Sequence, residues 1–349
     1  MDILALALAG IVSFLLTPLL CRLAPRLGAV DKPNARKIHH TLMPRLGGVA
    51  IYAGFLAAYW LGGAHFREYP GLLLAGSFII VVGIIDDIRS LSPWMKLLGQ
   101  IVAAAILVAY GVRVDFLTNP FNGLVILGKM AIPVTILWLV GVTNALNLVD
   151  GLDGLAAGTS LIAAVTIAVV AWFNGEFVVA FLSLALAAAT LGFLPFNFHP
   201  ARIFMGDSGS MFLGFNLAAL ATIGLTKSAT IISLFIPVII LGLPILDTLF
   251  AIIRRFLNHR PIFAPDKGHL HHRLLAQGWS QRQAVGIIYL VDACLGGSAI
   301  LLSRVATDQG VLILVGLAVI ILVGGDKVGI IGRDGLTRAK ARHNTLHMF

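Results

Sequence analysis

The stretch "NALNLVDGLDGLAAG", residues 144–158, sets two asparagines and two aspartates between "MAIPVTILWLVGV" upstream and "TSLIAAVTIAVVAWF" downstream. Both flanks are almost pure hydrocarbon. An unpaired charge in such surroundings is costly, so Asn147, Asp150 and Asp153 need partners, a ligand or an aqueous cleft. Which of these applies depends on the solvent the chain lives in.

Working outward, the 349 residues are 58% hydrophobic and 12% charged, with mean hydropathy +0.95. Soluble domains run nearer ~25% charged. Apolar runs recur that are long enough to cross ~30 Å of hydrocarbon as helices. They predict an all-α, polytopic integral membrane bundle of about eleven helices. The runs lie near 2–21, 47–63, 71–85, 97–113, 128–148, 155–173, 177–195, 211–226, 230–252, 284–303 and 310–325. Gly and Pro break several of them, so one or two are re-entrant candidates. Residues 1–325 then form one transmembrane domain and 326–349 a short basic tail. The formal charge of +9 reads as loops at an anionic membrane surface, not as a nucleic-acid footprint. Cys21 and Cys294 imply neither a disulfide framework nor a metal site. The first run follows Asp2 without a basic leader and exceeds a typical signal core, so it reads as a retained helix.

With eleven spans the termini fall on opposite sides. Segments 22–46, 86–96, 149–154, 196–210, 253–283 and the tail hold 20 of the 25 Lys and Arg. That side is expected to be cytoplasmic, with the N-terminus outside and the C-terminus inside. The polar clusters fall on the same side, while the outer loops hold only Glu68, Asp115, Glu176 and Asp308 as acids. A transporter lines a path through both halves of the bilayer. An enzyme with a water-soluble substrate needs one polar face, and the asymmetry favours it.

Four clusters carry chemistry. In "IVVGIIDDIRSL", Asp86 and Asp87 end the third run; adjacent carboxylates need a cation or shared proton, or else are solvated helix-end acids. In the opening stretch, a helical reading puts Asn144, Asn147, Gly151 and Gly154 near one face, with Asp150 and Asp153 one turn apart. Oxygen donors of this kind suit Mg²⁺, which takes one or two protein groups and leaves the rest to phosphates and water; a polar turn between spans is the bland alternative. In "FMGDSGS", Asp207 precedes an apolar helix as a metal ligand or an N-cap. In "GHLHHRLL", His269, His271 and His272 follow Lys267. Adjacent histidines without a Cys or H-x₃-H partner argue against zinc, leaving phosphate or sugar recognition beside a plain loop. Lys96 is accounted for by the positive-inside rule alone. Asp247, inside an apolar run, is paired or near the site. His39, His40 and His199 receive no role. Walker and Rossmann phosphate loops are absent.

Taken in order, "DKPNARKIHH…MPRLGG", "GIIDDI", "NALNLVDGLDGLAAG", "FNFHPARIFMGDSGSMFLGF" and "PDKGHLHHRLL" resemble the polyprenyl-phosphate N-acetylhexosamine-1-phosphate transferases from about residue 28 to 290. The form "HLHHRLL" is nearer the bacterial N-acetylglucosamine branch, which starts O-antigen, enterobacterial common antigen or teichoic acid linkage units. It is less like the related phospho-N-acetylmuramoyl-pentapeptide transferases of peptidoglycan synthesis. The resemblance implies a Mg²⁺-dependent enzyme (Mn²⁺ as an alternative) of the bacterial inner membrane. It would transfer sugar-1-phosphate from a UDP-N-acetylhexosamine to undecaprenyl phosphate and release UMP, with its site facing the cytoplasm. Partners are then the two substrates and the bilayer, with a homodimer left open. By motif, Asn147 and Asp207 match metal ligands, Asp86, Asp87, Lys96 and Asp150 the catalytic group, and Gly151, Asp153 and Phe204 the uridine site. The loop of His269, His271 and His272 matches the part that selects the sugar. A lipid phosphate with a second pKa near ~6 is already ionised at neutral pH, so Asp86 and Asp87 are expected to position rather than to abstract a proton, a base role for Asp86 being the rival.

Overall fold

The computed structural model describes residues 2–31, 42–63, 68–119, 123–225, 235–257 and 268–327. Among them are thirteen α-helices: α1 (Ile3–Leu23), α2 (Gly47–Leu61), α3 (Pro70–Arg89), α4 (Pro93–Ala109), α5 (Ala131–Val149), α6 (Leu155–Phe173), α7 (Phe177–Asn197), α8 (Gly206–Leu225), α9 (Phe235–Ile240), α10 (Gly242–Leu257), α11 (Leu270–Ala276), α12 (Gln281–Leu302) and α13 (Thr307–Lys327). Seven helices are long and apolar enough to cross a membrane, and α2 and α4 are shorter apolar helices. The protein is a polytopic helical membrane protein. Exposed leucines and isoleucines line the outer helices, such as Ile3 and Leu15 on α1, Leu98 on α4 and Leu312 and Ile320 on α13, as lipid-facing positions should.

Three details refine the expectation. Two short antiparallel ribbons accompany the helices, β1 (Val30–Asp31) with β2 (Met43–Pro44), and β3 (Phe116–Asn119) with β4 (Gly123–Ile126). The run 230–252 is not one helix over its described part but α9 and α10, broken at Leu241. Pro244 lacks the N–H that would bond Ile240, so the helix cannot pass through with its ladder intact. In keeping with the loop expected at 149–154, α5 ends at Val149 and a turn follows, with the Gly151 amide donating to the Val149 carbonyl at 2.7 Å. Gly154, at φ +78°, holds a left-handed conformation that glycine adopts without strain. Of the basic tail, residues 328–349 lie outside the described residues.

Helix α8 lies at the centre, against α2, α3, α5, α6 and α7. Phe212, Leu213, Phe215 and Leu217 on it are fully buried, and so are its polar Ser208, Ser210 and Asn216, as expected of a helix enclosed by its neighbours. Small residues let the neighbouring backbones close on its first turn. A Cβ on Gly48 of α2 would lie 2.1 Å from the Gly209 nitrogen, and one on Gly83 of α3 2.4 Å from the Ser208 Cα. The start of α2, the end of α3 and the start of α8 therefore meet at one end of the bundle, and the polar residues gather there.

Candidate active site

Asp87 ties α3 to α8. It is buried and accepts from the Asp207 amide at 2.8 Å and the Ser208 amide at 3.0 Å, two donors that the first turn of a helix leaves without an internal partner. The N-terminal dipole also favours this carboxylate. Asp87 is thus engaged by α8 backbone, and its neighbour faces elsewhere. Asp86, also buried, accepts from the Leu91 amide at 2.6 Å and pairs with Lys96 Nζ. A short connection makes that pair: Ser90 ends α3 at φ +50°, and Ser92 caps α4 with Pro93 in its first turn. The chain reverses in three residues and brings Lys96 back over Asp86.

Lys96 Nζ also lies 3.4 Å from Asp207 Oδ2. Asp207 stands at the focus: its Oδ1 accepts from Asn147 Nδ2 at 2.6 Å and its Oδ2 from Arg45 Nη2 at 2.8 Å. Asn147 also donates to Ser210 Oγ at 2.8 Å. Asn144, one turn earlier, pairs instead with Gln100 of α4, whose Nε2 donates to Asn144 Oδ1 at 3.2 Å, and so belongs to packing. Asp150 closes α5 in the same electrostatic field. Burial, then the nearby Asp207, push its carboxyl up to about 7 against the opposing pull of Arg45.

Arg45 is the functional residue the sequence reading passed over. Besides Asp207, its guanidinium lies 3.5 Å from Asp87 Oδ1 and 3.7 Å from Asp31 Oδ1, the latter aligned by the β1–β2 pairing. Burial works against its charge, but Asp87, Asp207 and Asp31 outweigh it and keep Arg45 a firm cation. Its only sequence signal was a place in "MPRLGG", indistinguishable from a membrane-surface arginine.

The uridine candidates sit on adjoining segments. Asp153 accepts from His199 Nδ1 at 2.8 Å and from the Ala201 amide at 3.1 Å, so it is anchored to the 198–205 connection between α7 and α8. Phe204 is half-buried on that connection, its amide donating to the Pro44 carbonyl at 2.8 Å and its carbonyl accepting from the Gly47 amide at 3.1 Å. Gly151 faces the histidines: a Cβ there would lie 2.6 Å from His271 Nε2. His271 is buried and stacks near-parallel on His269 at 5.8 Å and tilted on His272 at 4.2 Å. Burial, then the neighbouring His272, press the His271 pKa down to about 3, so it is a neutral imidazole. Asp247 is explained here, since it accepts from His269 Nδ1 and from the Leu270 amide, both at 2.8 Å, fixing the start of α11. Lys267, His39 and His40 lie outside the described residues.

Taken together, the structure brings Asp86, Asp87, Lys96, Asn147, Asp150 and Asp207 into one cluster, and links Gly151, Asp153, Phe204 and the histidine loop to its edge. Four carboxyl groups face two cations, Arg45 and Lys96. Once ionised, such a set carries net negative charge and repels phosphate unless a further cation joins it. Among the described residues no three His, Cys, Asp or Glu side chains form a metal cage. Mg²⁺ takes oxygen donors and uses one or two protein groups. Asn147 and Asp207 fit that role, once the Asn147 amide turns its oxygen toward Asp207.

The sequence of the chain matches known proteins. The family profile of Glycosyl transferase family 4 covers residues 69–225, from α3 to the end of α8. A protein of Bacillus subtilis named "Probable undecaprenyl-phosphate N-acetylglucosaminyl 1-phosphate transferase" is 47% identical over 332 residues, 93% of each chain. A "Decaprenyl-phosphate N-acetylglucosaminephosphotransferase" of Mycobacterium tuberculosis is 41% identical over 81% of this chain and 78% of its own length. The "Undecaprenyl-phosphate alpha-N-acetylglucosaminyl 1-phosphate transferase" of Escherichia coli is 28% identical over 80% and 78%. With one end of its helical bundle built around Asp86, Asn147 and Asp207, the chain belongs to the polyprenyl-phosphate N-acetylhexosamine-1-phosphate transferases of glycosyl transferase family 4.

Proposed function

We propose that the protein transfers N-acetylglucosamine-1-phosphate from UDP-N-acetylglucosamine to undecaprenyl phosphate, releasing UMP and starting a lipid-linked surface glycan. The observation that carries the proposal is the meeting of Asp86, Lys96, Asn147 and Asp207 at one end of the bundle. The reaction sets a lipid phosphate dianion against a diphosphate, so charge must be neutralised before the two can approach. Mg²⁺ held by Asn147 and Asp207 would supply that neutralisation and stabilise charge on the leaving UMP. Lys96 and Arg45 add positive potential that is fixed before the substrates arrive. Asp86 holds Lys96 in place. Its task is positioning, in keeping with an acceptor that is already ionised.

The lipid phosphate would reach the cluster laterally at headgroup depth and the nucleotide from the cytoplasm. The charge asymmetry of the loops supports that orientation in the bacterial inner membrane, with eleven spans, N-terminus outside and C-terminus inside. Transport is disfavoured because the cluster of Asp86, Asp87, Lys96 and Asp207 lies at one end of the bundle.

The test supplies radiolabelled UDP-N-acetylglucosamine, Mg²⁺ and undecaprenyl phosphate to purified protein in detergent. Labelled lipid with stoichiometric UMP supports transfer, whereas uptake into liposomes without lipid product contradicts it. Rates of Asp86→Asn from pH 6 to 9 separate the two roles of Asp86. Full recovery at high pH would return it to a base; a pH-independent loss fits positioning.

A further inference from the structure

His199, to which the sequence reading gave no role, is placed where it controls Asp153. Asp153 uses Oδ2 for both of its hydrogen bonds, from His199 Nδ1 at 2.8 Å and from the Ala201 amide at 3.1 Å. Among the described residues Oδ1 has no partner. A carboxylate only accepts, so the His199 proton lies on Nδ1. The His199 backbone is held in turn by α12: Arg282 donates to its carbonyl from Nε at 3.2 Å and Nη2 at 3.0 Å.

The same helix braces the rest of the turn. Tyr289, two turns along α12, donates from its hydroxyl to the Gly154 carbonyl. A Cβ on Gly158 would lie 2.0 Å from the Tyr289 hydroxyl, so the missing side chain is what admits the ring. The Gly154 amide donates to Asn197 Oδ1 at 3.2 Å. The turn is thus clamped on either side of Gly154, and Asp153 Oδ1 stays open beside that clamp. The His199 and Asp153 side chains are 38% and 17% exposed. A hydrogen-bonded pair as open as this adds little to folding, so stability is a poor reason for its geometry.

We propose that His199, braced by Arg282, is a positioning residue that aims Asp153 Oδ1 at the base of the bound nucleotide. The inference rests on the reading of Asp153 as a uridine contact. Uracil presents an imide N–H between two carbonyls, and a carboxylate oxygen fixed in direction accepts from it; cytosine has an acceptor at that position and would be repelled. Preset orientation lowers the cost of making that bond. His199 therefore acts on donor affinity and pyrimidine choice, not on the chemical step.

The test is steady-state kinetics of the full-length enzyme in detergent with UDP-N-acetylglucosamine. His199→Ala is expected to raise the donor KM about tenfold, the worth of one misdirected charged hydrogen bond, with kcat and the acceptor KM within about twofold. His199→Asn keeps an N–H donor near Nδ1 and is expected to restore most of the loss. The double variant Asp153→Ala/His199→Ala should be no worse than Asp153→Ala. If Asp153→Ala raises the donor KM and His199→Ala does not, positioning is overturned and the uridine role of Asp153 stands. If neither moves it, both readings fall. Additive losses in the double variant would also overturn the proposal. Should His199→Ala not fold, exposed Arg282→Gln carries the same test: a several-fold rise in donor KM supports positioning, and an unchanged KM overturns it.

Discussion

A single methyl group at residue 151 probes whether the histidine loop and the nucleotide turn act as one unit. Built on Gly151, a Cβ would lie 2.6 Å from His271 Nε2, 3.0 Å from Cε1 and 3.4 Å from Cδ2. Ordinary contact begins near ~3.5 Å, so His271 must retreat by roughly 1 Å. It cannot do so alone, because its ring is stacked between His269 and His272. His269 is bonded to Asp247, which also holds the first amide of α11. Gly151 itself is not among the glycines in the left-handed region, so alanine brings a steric load without backbone strain. Displacements of this size at a reacting centre cost on the order of 10²-fold in rate. Overpacking lowers stability by about 1–3 kcal/mol. The assay measures kcat for transfer from UDP-N-acetylglucosamine, with thermal unfolding in the same detergent. Gly151→Ala is expected to lose about a hundredfold in kcat while remaining folded. Adding His271→Ala should cost less than the two single losses combined, since the truncated ring vacates the space. A Gly151→Ala enzyme within twofold of wild type, with an unchanged unfolding temperature, would refute the coupling.

Further outcomes follow from the same geometry. Gly48→Ala, whose Cβ would meet Gly209 backbone at 2.1 Å, is expected to prevent α2 from seating on α8. It should lower the yield and unfolding temperature of purified protein more than any site substitution. Arg45→Gln removes the cation shared by Asp87 and Asp207 and should cut activity at least tenfold, with Arg45→Lys recovering only part because one ammonium cannot span three carboxylates. His271, held down to about 3 against ~6.5 in the unfolded chain, takes up a proton on unfolding below pH ~6.5. Stability should therefore hold above that pH and fall as pH drops from 6.5 toward 3, by on the order of 1 kcal/mol per pH unit; His271→Phe should flatten the slope. Mg²⁺ should raise the unfolding temperature of the wild type, and Asn147→Ala should weaken that rise.

Much of this molecule could be read from residue order because membrane physics leaves few options. Apolar runs of membrane length had to become helices, and alternation of the loops put Asp86, Asn147, Asp153 and Asp207 on one side before any distance was known. Their meeting in space follows from helices that each end at the same level. What stayed hidden depends on contacts between distant segments. Arg45 reads as one more membrane-surface cation until the β1–β2 pairing and the close approach of Gly48 to α8 put it against Asp207. Asp247 and His269 are 22 positions apart, and no periodicity links them. His199 looked like an ordinary residue at the end of a span because its partner, Asp153, lies on another helix connection. The break between two spans at 149–154 was legible from the apolar runs, and α5 ends at Val149.

The central claim is that Asn147 and Asp207 share one divalent ion. A crystal grown with Mn²⁺ and UDP-N-acetylglucosamine, with data collected at the manganese absorption edge, tests it most directly. One anomalous peak is expected at about 2.0–2.2 Å from an Asp207 carboxylate oxygen and from Asn147 Oδ1, with diphosphate oxygens completing the shell. A peak bound elsewhere, or a nucleotide sugar bound beside Asp207 with Asn147 still donating to the carboxylate and no metal between them, would contradict it.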